Sequence, residues 1–345
     1  VNVEKIPGWL LWPLTIPYGA ATRLRTSLYR ARIVRQRQLE SAVISVGNLT
    51  AGGTGKTPMA LWIAERLAAE GQSAAILTRG YKGKSLTNGI ISDEALLLRA
   101  RLGERVALGI GADRFARGHD LEKRGVRWFV LDDGFQHMQL ARDVDIVLID
   151  AINPFGGGLL PAGRSREPRS ALRRADLIVI TRSTHAPAVE AAIRRESRAP
   201  IFYAQPELQS VRKLHSSGSP EITEAVDVAA LHERKLFAFC GIGNPVAFLG
   251  DVRRWNFQVV GQKFFRDHHR YAQKDFDALV CEARRAGADA LLCTEKDAFN
   301  LAGLTTDSLD TFYCVISLCV PRADDFWRAI MAKINERELQ RKSRA

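Results

Sequence analysis

The chain has 345 residues, a length that suggests about two domains at ~100–200 residues each, and its 46% hydrophobic and 26% charged residues are those of an ordinary globular protein. A formal net charge of +12 favours an acidic partner, which charge alone leaves open among nucleic acid, a phosphorylated substrate and an anionic membrane. The five cysteines (Cys240, Cys281, Cys293, Cys314 and Cys319) form no C-x-x-C pair and have no zinc spacing with histidine, so a structural zinc site is excluded and buried thiols in a reducing compartment are expected.

The stretch "IPGWLLWPLTIPYGAAT" (Ile6–Thr22) carries no charge but holds Pro7, Pro13 and Pro17. A spanning helix wants ~20 apolar residues, and prolines this dense argue against one. Arg23, Arg25, Arg30, Arg32, Arg35 and Arg37 follow. With Trp9, Trp12 and Tyr18 beside that arginine row, residues 6–40 read in two ways. One is an interfacial segment docked on an anionic leaflet, and the other is an arm packed on the protein's own core. The opening lacks a basic n-region and a small-residue cleavage site, so the cytosolic side is the expected location.

Strand and helix patterns then alternate. "SAVISVG" (Ser41–Gly47) is a short β-branched run and predicts a buried strand. "KTPMALWIAERLAAEG" places Met59, Trp62, Ile63 and Leu67 on one helical face, with Gly71 at its end. "SAAILTRG" (Ser73–Gly80), "VRWFVLDD" (Val126–Asp133), "DVDIVLIDA" (Asp143–Ala151) and "ADLIVITR" (Ala175–Arg182) read as further strands. Such apolar strands separated by helices imply a parallel sheet covered on both faces. The pattern fades over Pro206–Ala225, which reads as a connector. A second α/β pattern follows in "KLFAFCGIGNP" (Lys235–Pro245), "ADALLCTEKDA" (Ala288–Ala298) and "TFYCVISLCV" (Thr311–Val320), and then a terminal helix that frays. The expected domains are residues 1–206 and 207–345.

"SVGNLTAGGTGKTP" (Ser45–Pro58) sits between a predicted strand and a predicted helix. The usual phosphate loop reads G-x-x-x-x-G-K-[ST], and Thr50 stands where the first glycine would be. Gly52, Gly53 and Gly55 still let the backbone curl so that N–H groups point inward. Residues Thr50, Ala51, Gly52, Gly53, Thr54, Gly55, Lys56 and Thr57 are therefore the expected nucleotide cradle. Lys56 suits the β- and γ-phosphates, and the Thr57 hydroxyl suits Mg²⁺. The loop also matches the "KGGxGKT" form of partitioning and septum-site ATPases, except that Ala51 replaces their lysine.

Other stretches carry chemistry less decisively. Asp132 and Asp133 end an apolar strand, where a phosphate-loop protein holds a metal carboxylate, although such acids can also cap a helix. Asp93 and Glu94 precede an apolar helical run, as a cap does. His268 and His269 in "FRDHHRY" are too close in sequence for a zinc site. They read either as a surface cluster or as a base or base-orienting group. "CGIGNPVAF" is not a G-x-G-x-x-G loop, and "TEKD" (Thr294–Asp297) is not the guanine-reading N-K-x-D. The basic residues are spread out and no recognition motif accompanies them, which disfavours nucleic acid.

In order, "SVGNLTAGGTGKTP", "LTRGY", "SDEALLL", "ADR", "LDDGFQH", "LLPAGRSREP", "FRDHH" and "TEKDA" resemble the tetraacyldisaccharide 4'-kinase family from about Pro7 to about Ala298. The resemblance implies a P-loop NTPase α/β/α sandwich with a second, smaller α/β/α domain joined by a β linker, and an N-terminal hydrophobic helix. It implies transfer of the ATP γ-phosphate to the 4'-hydroxyl of a lipid A precursor, giving lipid IVA, at the cytoplasmic face of the inner membrane. By motif it assigns Asp93 and His268 as the catalytic pair. Thr57, Asp132, Asp133 and Glu167 fall near the metal, and Arg79, Tyr81, Gln136 and His137 on the substrate. The implied cofactors are ATP and Mg²⁺. The implied partners are a glycolipid substrate and the inner-membrane surface, with no nucleic acid and no protein partner.

Overall fold

A computed structural model describes residues 8–80, 84–86, 89–91, 93–214 and 225–343. The chain begins with α1 (Gly8–Arg30), β1 (Ala42–Asn48), α2 (Lys56–Ala69), β2 (Ala74–Thr78), β3 (Lys84–Leu86), β4 (Gly89–Ile91) and α3 (Asp93–Leu102). It continues through β5 (Ala107–Ile110), α4 (Arg114–Glu122), β6 (Trp128–Asp132), β7 (Val144–Asp150), β8 (Leu177–Thr181), α5 (Pro187–Arg194) and β9 (Ile201–Lys213). It ends with β10 (Ala225–Val226), α6 (Val228–His232), β11 (Leu236–Cys240), α7 (Pro245–Arg254), β12 (Val259–Phe264), α8 (Gln273–Arg285), β13 (Ala290–Thr294), α9 (Glu295–Leu301), β14 (Thr311–Cys319) and α10 (Ala323–Lys342).

The chain forms two compact units. Val1–Arg79, Glu104–Gln205 and Leu318–Ala345 make the first, and Gly80–Gly103 with Pro206–Ser317 makes the second. The second unit's longer segment starts at Pro206, where the expected second domain begins at 207, and two segments depart from a linear split. Gly80–Gly103 belongs to the second unit because Arg101 of α3 is gripped there. Its Nε lies 3.0 Å from a Glu295 carboxylate oxygen, and its Nη2 donates to the Ile316 carbonyl at 2.5 Å. The terminal segment belongs to the first unit because α10 is one of its core helices. Phe326 is fully buried, 5.6 Å from the Trp62 ring and 5.0 Å from the Phe202 ring. Nor does α10 fray as expected: near its end Arg341 bonds the buried Asp143 carboxylate.

In the first unit the strands run β9–β8–β7–β1–β6–β2–β5, with parallel pairing throughout. The strands β1, β2, β7 and β8 are buried along their whole length, as their near-continuous apolar sequences predict. Apolar clusters sit against the sheet, one around Val147, Ile149, Ile178 and Ile180, another around Val43, Leu77, Phe129 and Leu131. In the second unit β12–β11–β13–β14 are parallel neighbours. The expected connector is partly strand: β9 runs on to Lys213 and pairs antiparallel with β10, while residues 215–224 lie outside the described residues.

The expected N-terminal helix is α1, with Pro13 and Pro17 inside it. Their cost is small where the freed carbonyls face solvent, and the first half of α1 is exposed: Trp12 by 64% and Ile16 by 63%. Its second half is tied to the first unit, where the Tyr18 hydroxyl donates to the Arg166 carbonyl at 2.9 Å and Arg25 to the Gln136 carbonyl at 2.9 Å. No helix among the described residues is long and apolar enough to cross a membrane. Three cysteines, Cys240, Cys293 and Cys314, are buried as expected, but Cys281 is exposed and Cys319 is intermediate.

Candidate functional site

The chain from Thr50 to Thr57 leaves the carboxyl end of β1, which lies between β6 and β7. Carboxyl ends of parallel strands are where open α/β sheets bind ligands. Helix α2 starts at Lys56 straight after Gly55, whose φ of 90° is left-handed and open to glycine. The N-cap Gly55 makes no side-chain cap bond, so the start of α2 keeps N–H groups that can serve an anion. The curl is fixed from outside: Asn48 Nδ2 donates to Thr54 Oγ1 at 2.9 Å, and Thr181 Oγ1 donates to the Thr54 carbonyl at 3.1 Å. Ala51 donates its N–H to the Arg164 carbonyl at 2.7 Å and accepts from Arg164 Nε at 3.0 Å. These bonds hold the loop without a glycine at 50. Lys56 Nζ lies over the loop, 3.3 Å from the Gly52 carbonyl.

The two aspartates after β6 face different partners. β1 and β6 run in register with Val46 opposite Asp132, which brings the buried Asp132 beside the loop. Thr57 Oγ1 donates to Asp132 Oδ2 at 3.0 Å. Asp133 has a left-handed φ of 53° and turns to cations, with Arg166 Nη1 at 2.8 Å and Lys56 Nζ at 3.6 Å. Burial opposes ionisation of Asp133, but Lys56, Arg166 and Arg114 outweigh it and hold its carboxyl below the usual range. Glu167 is buried and both its oxygens take bonds from Arg174, at 2.7 and 3.1 Å.

No cluster of three metal-ligating side chains occurs among the described residues. Mg²⁺ does not need one, because it usually takes one or two protein oxygens and completes its shell with phosphates and water. The adjoining Thr57 hydroxyl and Asp132 carboxylate fit that ion.

Gln136 and His137 follow on the same turn. Gln136 Nε2 donates to the Asn48 carbonyl at 2.8 Å, and Gln136 Oε1 lies 3.3 Å from Arg166 Nη1. His137 is driven down to about 4 by burial, with Arg114, Arg142 and Arg25 adding to the effect, so its ring is neutral at pH 7. Arg79 follows β2 on the surface, and Tyr81 lies outside the described residues. A cavity of about 270 Å³ opens beside Gln136 and Glu167 and is also lined by Arg25, Arg166, Met138 and Leu160.

The second unit carries the other predicted pair. Asp93 is the first residue of α3. His268 sits in a tight turn with φ of 58°, its N–H donating to the Gly241 carbonyl at 3.0 Å. Its neighbour His269 is committed elsewhere, stacked on Phe265 at 4.5 Å and 3.2 Å from Asp275 Oδ2. Lys296 Nζ lies 3.5 Å from His268 Nε2, 3.7 Å from Glu94 and 3.7 Å from Asp267. The beginning of α3 and the histidine turn therefore converge within one unit on a lysine from "TEKDA".

Sequence reading missed several residues of these sites. Lys296 lies in "TEKDA", a family motif to which the sequence assigns no role beyond excluding the guanine-reading N-K-x-D. Arg166, the residue before Glu167, holds Asp133. Arg114, in "ADR", is 5% exposed, with Nη2 3.4 Å from the Asp132 carbonyl and a buried Nε that has no hydrogen-bond partner among the described residues. The three lie in motifs already noticed, but which member of a motif faces the site is a matter of side-chain direction.

The family model of tetraacyldisaccharide-1-P 4'-kinase matches residues 7–335. The chain is 42% identical over 317 residues to a tetraacyldisaccharide 4'-kinase of Geobacter metallireducens, covering 87% of this chain and 90% of that protein. It is 35% identical over 320 residues to the one of Halothermothrix orenii, covering 86% and 83%. Among solved structures it is similar to an "apo" form LpxK from Aquifex aeolicus in complex with ATP, with a TM-score of 0.70 and 27% identity over 95% of this chain and 99% of that one. The chain belongs to the tetraacyldisaccharide-1-P 4'-kinase family.

Proposed function

We propose that the chain transfers the γ-phosphoryl group of ATP to the 4'-hydroxyl of a tetraacyldisaccharide 1-phosphate. The observation that carries this reading is the uncapped start of α2, with Lys56 over the loop and the Thr57 hydroxyl on the Asp132 carboxylate. Loop N–H groups and Lys56 hold the triphosphate and stabilise charge on the transferred group. Thr57 and Asp132 are the Mg²⁺ ligands in this reading, and the ion, when bound, neutralises charge on the β- and γ-phosphates. Asp133 holds Lys56 and Arg166 in place, and Glu167 holds Arg174. Asp93 accepts the proton of the attacking hydroxyl, and His268 orients it. Arg79, Tyr81, Gln136 and His137 serve the acceptor. The cavity beside Gln136 suits an anionic glycolipid, because its lining combines the guanidinium groups of Arg25 and Arg166 with the apolar Met138 and Leu160.

The exposed apolar half of α1, followed by arginines, supports docking on an anionic leaflet at the cytoplasmic face of the inner membrane. The test is incubation with γ-labelled ATP and detergent-dispersed tetraacyldisaccharide 1-phosphate. Label is expected in the lipid, dependent on added Mg²⁺. ATP hydrolysis with no labelled lipid would overturn the reading.

A further inference from the structure

The motif "TEKDA" has no part in the transfer as proposed, yet it is built tightly into the second unit. Asp297 is fully buried, and its carboxylate accepts from Gly241 N–H at 2.8 Å, the Tyr271 hydroxyl at 2.9 Å and Thr294 Oγ1 at 2.5 Å. Gly241 in turn accepts the His268 N–H at 3.0 Å. One glycine thus grips both the start of α9 and the histidine turn. That double attachment fixes Lys296, the residue before Asp297, relative to His268.

The Lys296 side chain uses this position. The side chain is largely covered, at 16% exposure, and its ammonium stands between Glu94 at the head of α3 and Asp267 in the histidine turn, 3.7 Å from each. It also lies 3.5 Å from His268 Nε2, while the Asp267 carboxylate is farther from that nitrogen, at 3.9 Å. A lysine ammonium has three donors and no lone pair. It approaches Nε2 favourably only when that nitrogen carries its lone pair, which places the ring proton on Nδ1.

We propose that Lys296 is a positioning residue of the acceptor side, holding His268 as the neutral Nδ1–H tautomer and joining the head of α3 to the histidine turn. In this form Nδ1–H is the ring's only donor, so the histidine can orient a carboxylate base through that atom. The two carboxylates hold the ammonium in place. The inference rests on the assignment of His268 to the reaction, and its test separates the two.

The experiment is ¹⁵N NMR of the full chain with labelled histidine, with the His268 signals assigned by their loss in His268→Gln. Nitrogen shifts of the uncharged ring are read in alkaline buffer. The wild type is expected to show a protonated Nδ1 and an unprotonated Nε2, and Lys296→Met is expected to lose that preference. An Nε2–H tautomer in the wild type, or an unchanged tautomer in Lys296→Met, overturns the proposal. In the kinase assay Lys296→Met should lower kcat by ~10-fold or more, as general-base positioning allows, with KM for ATP within about twofold. Lys296→Arg, which keeps the charge and lacks a lone pair on its donors, should recover part of both readouts. The other histidine signals report whether Lys296→Met is folded. Full activity in His268→Gln would remove His268 from the reaction but leave the tautomer result standing.

Discussion

Asp132 and Asp133 are adjacent in sequence, yet one meets a hydroxyl and the other meets cations. Exchanging each for asparagine should therefore give different defects. Asp132→Asn should lower kcat by ~10²-fold or more and raise the Mg²⁺ concentration needed for half-maximal rate, because it removes a charged oxygen beside Thr57. Equal Mg²⁺ requirements in wild type and variant would sink that role. Asp93→Asn should lower kcat by ~10²–10⁴-fold with modest change in KM for ATP, and near-normal turnover would count against it as the base. His137 gives a pH prediction. Its folded value is about 4, below an unfolded value of ~6.5, so the fold favours the neutral ring. The stabilisation is complete above ~6.5 and is lost as pH falls through that window towards 4, at a slope of up to ~1.4 kcal/mol per pH unit. Thermal melts across this range should show a shallower decline for His137→Gln than for the wild type. Parallel curves would contradict the assignment.

Among the elements, the two terminal helices make the sharpest predictions. The α10 sequence ends in a charged run and suggested fraying, but Phe326 near its start is fully buried beside Trp62 and Phe202. Phe326→Ala should cost about 3–5 kcal/mol of stability in the first unit, readable by urea unfolding. A loss under about 1 kcal/mol would mean that α10 does not contribute to that core. At the other end, α1 leaves Leu10, Trp12, Leu14 and Ile16 more than half exposed, while Tyr18 and Arg25 tie its second half down. Burying an apolar side chain is worth ~1.5–3 kcal/mol, so Trp12→Ser with Ile16→Ser should weaken binding to anionic vesicles by roughly 10²-fold or more. Vesicle sedimentation measures this, and unchanged binding would remove α1 from membrane docking.

For the whole molecule, the net charge of +12 and the arginines after Thr22 predict that the proposed docking on anionic vesicles depends on ionic strength. The screening length falls from about 10 Å at 0.1 M salt to about 3 Å at 1 M. Binding to anionic vesicles should therefore drop steeply over that range, while binding to neutral vesicles should be weak throughout. Equal affinity for the two vesicle types would show that the basic residues do not select the surface. The division into units also matters at this scale. The phosphate loop with Asp132 lies in the first unit, and Asp93 with His268 and Lys296 lies in the second. Each unit draws its residues from separated stretches of chain.

The sequence by itself determined the parallel sheet of the first unit, the phosphate loop and its helix, because these depend on local patterns. Apolar β-branched runs make buried strands, and glycines followed by Lys56 and Thr57 make an anion cradle wherever a strand feeds a helix. The ordered motifs also pointed to the family and to Asp93 and His268. Only the tertiary structure decided which aspartate meets Thr57, which of two adjacent histidines is held by Lys296, and that α3 and α10 join units distant in sequence. Those outcomes depend on side-chain direction and long-range packing. Asp132 is set beside the loop by the register of β1 with β6, His268 by its bond to Gly241, and α10 by the rings of Trp62 and Phe202. None of these partners is near in sequence, so no local pattern could encode them.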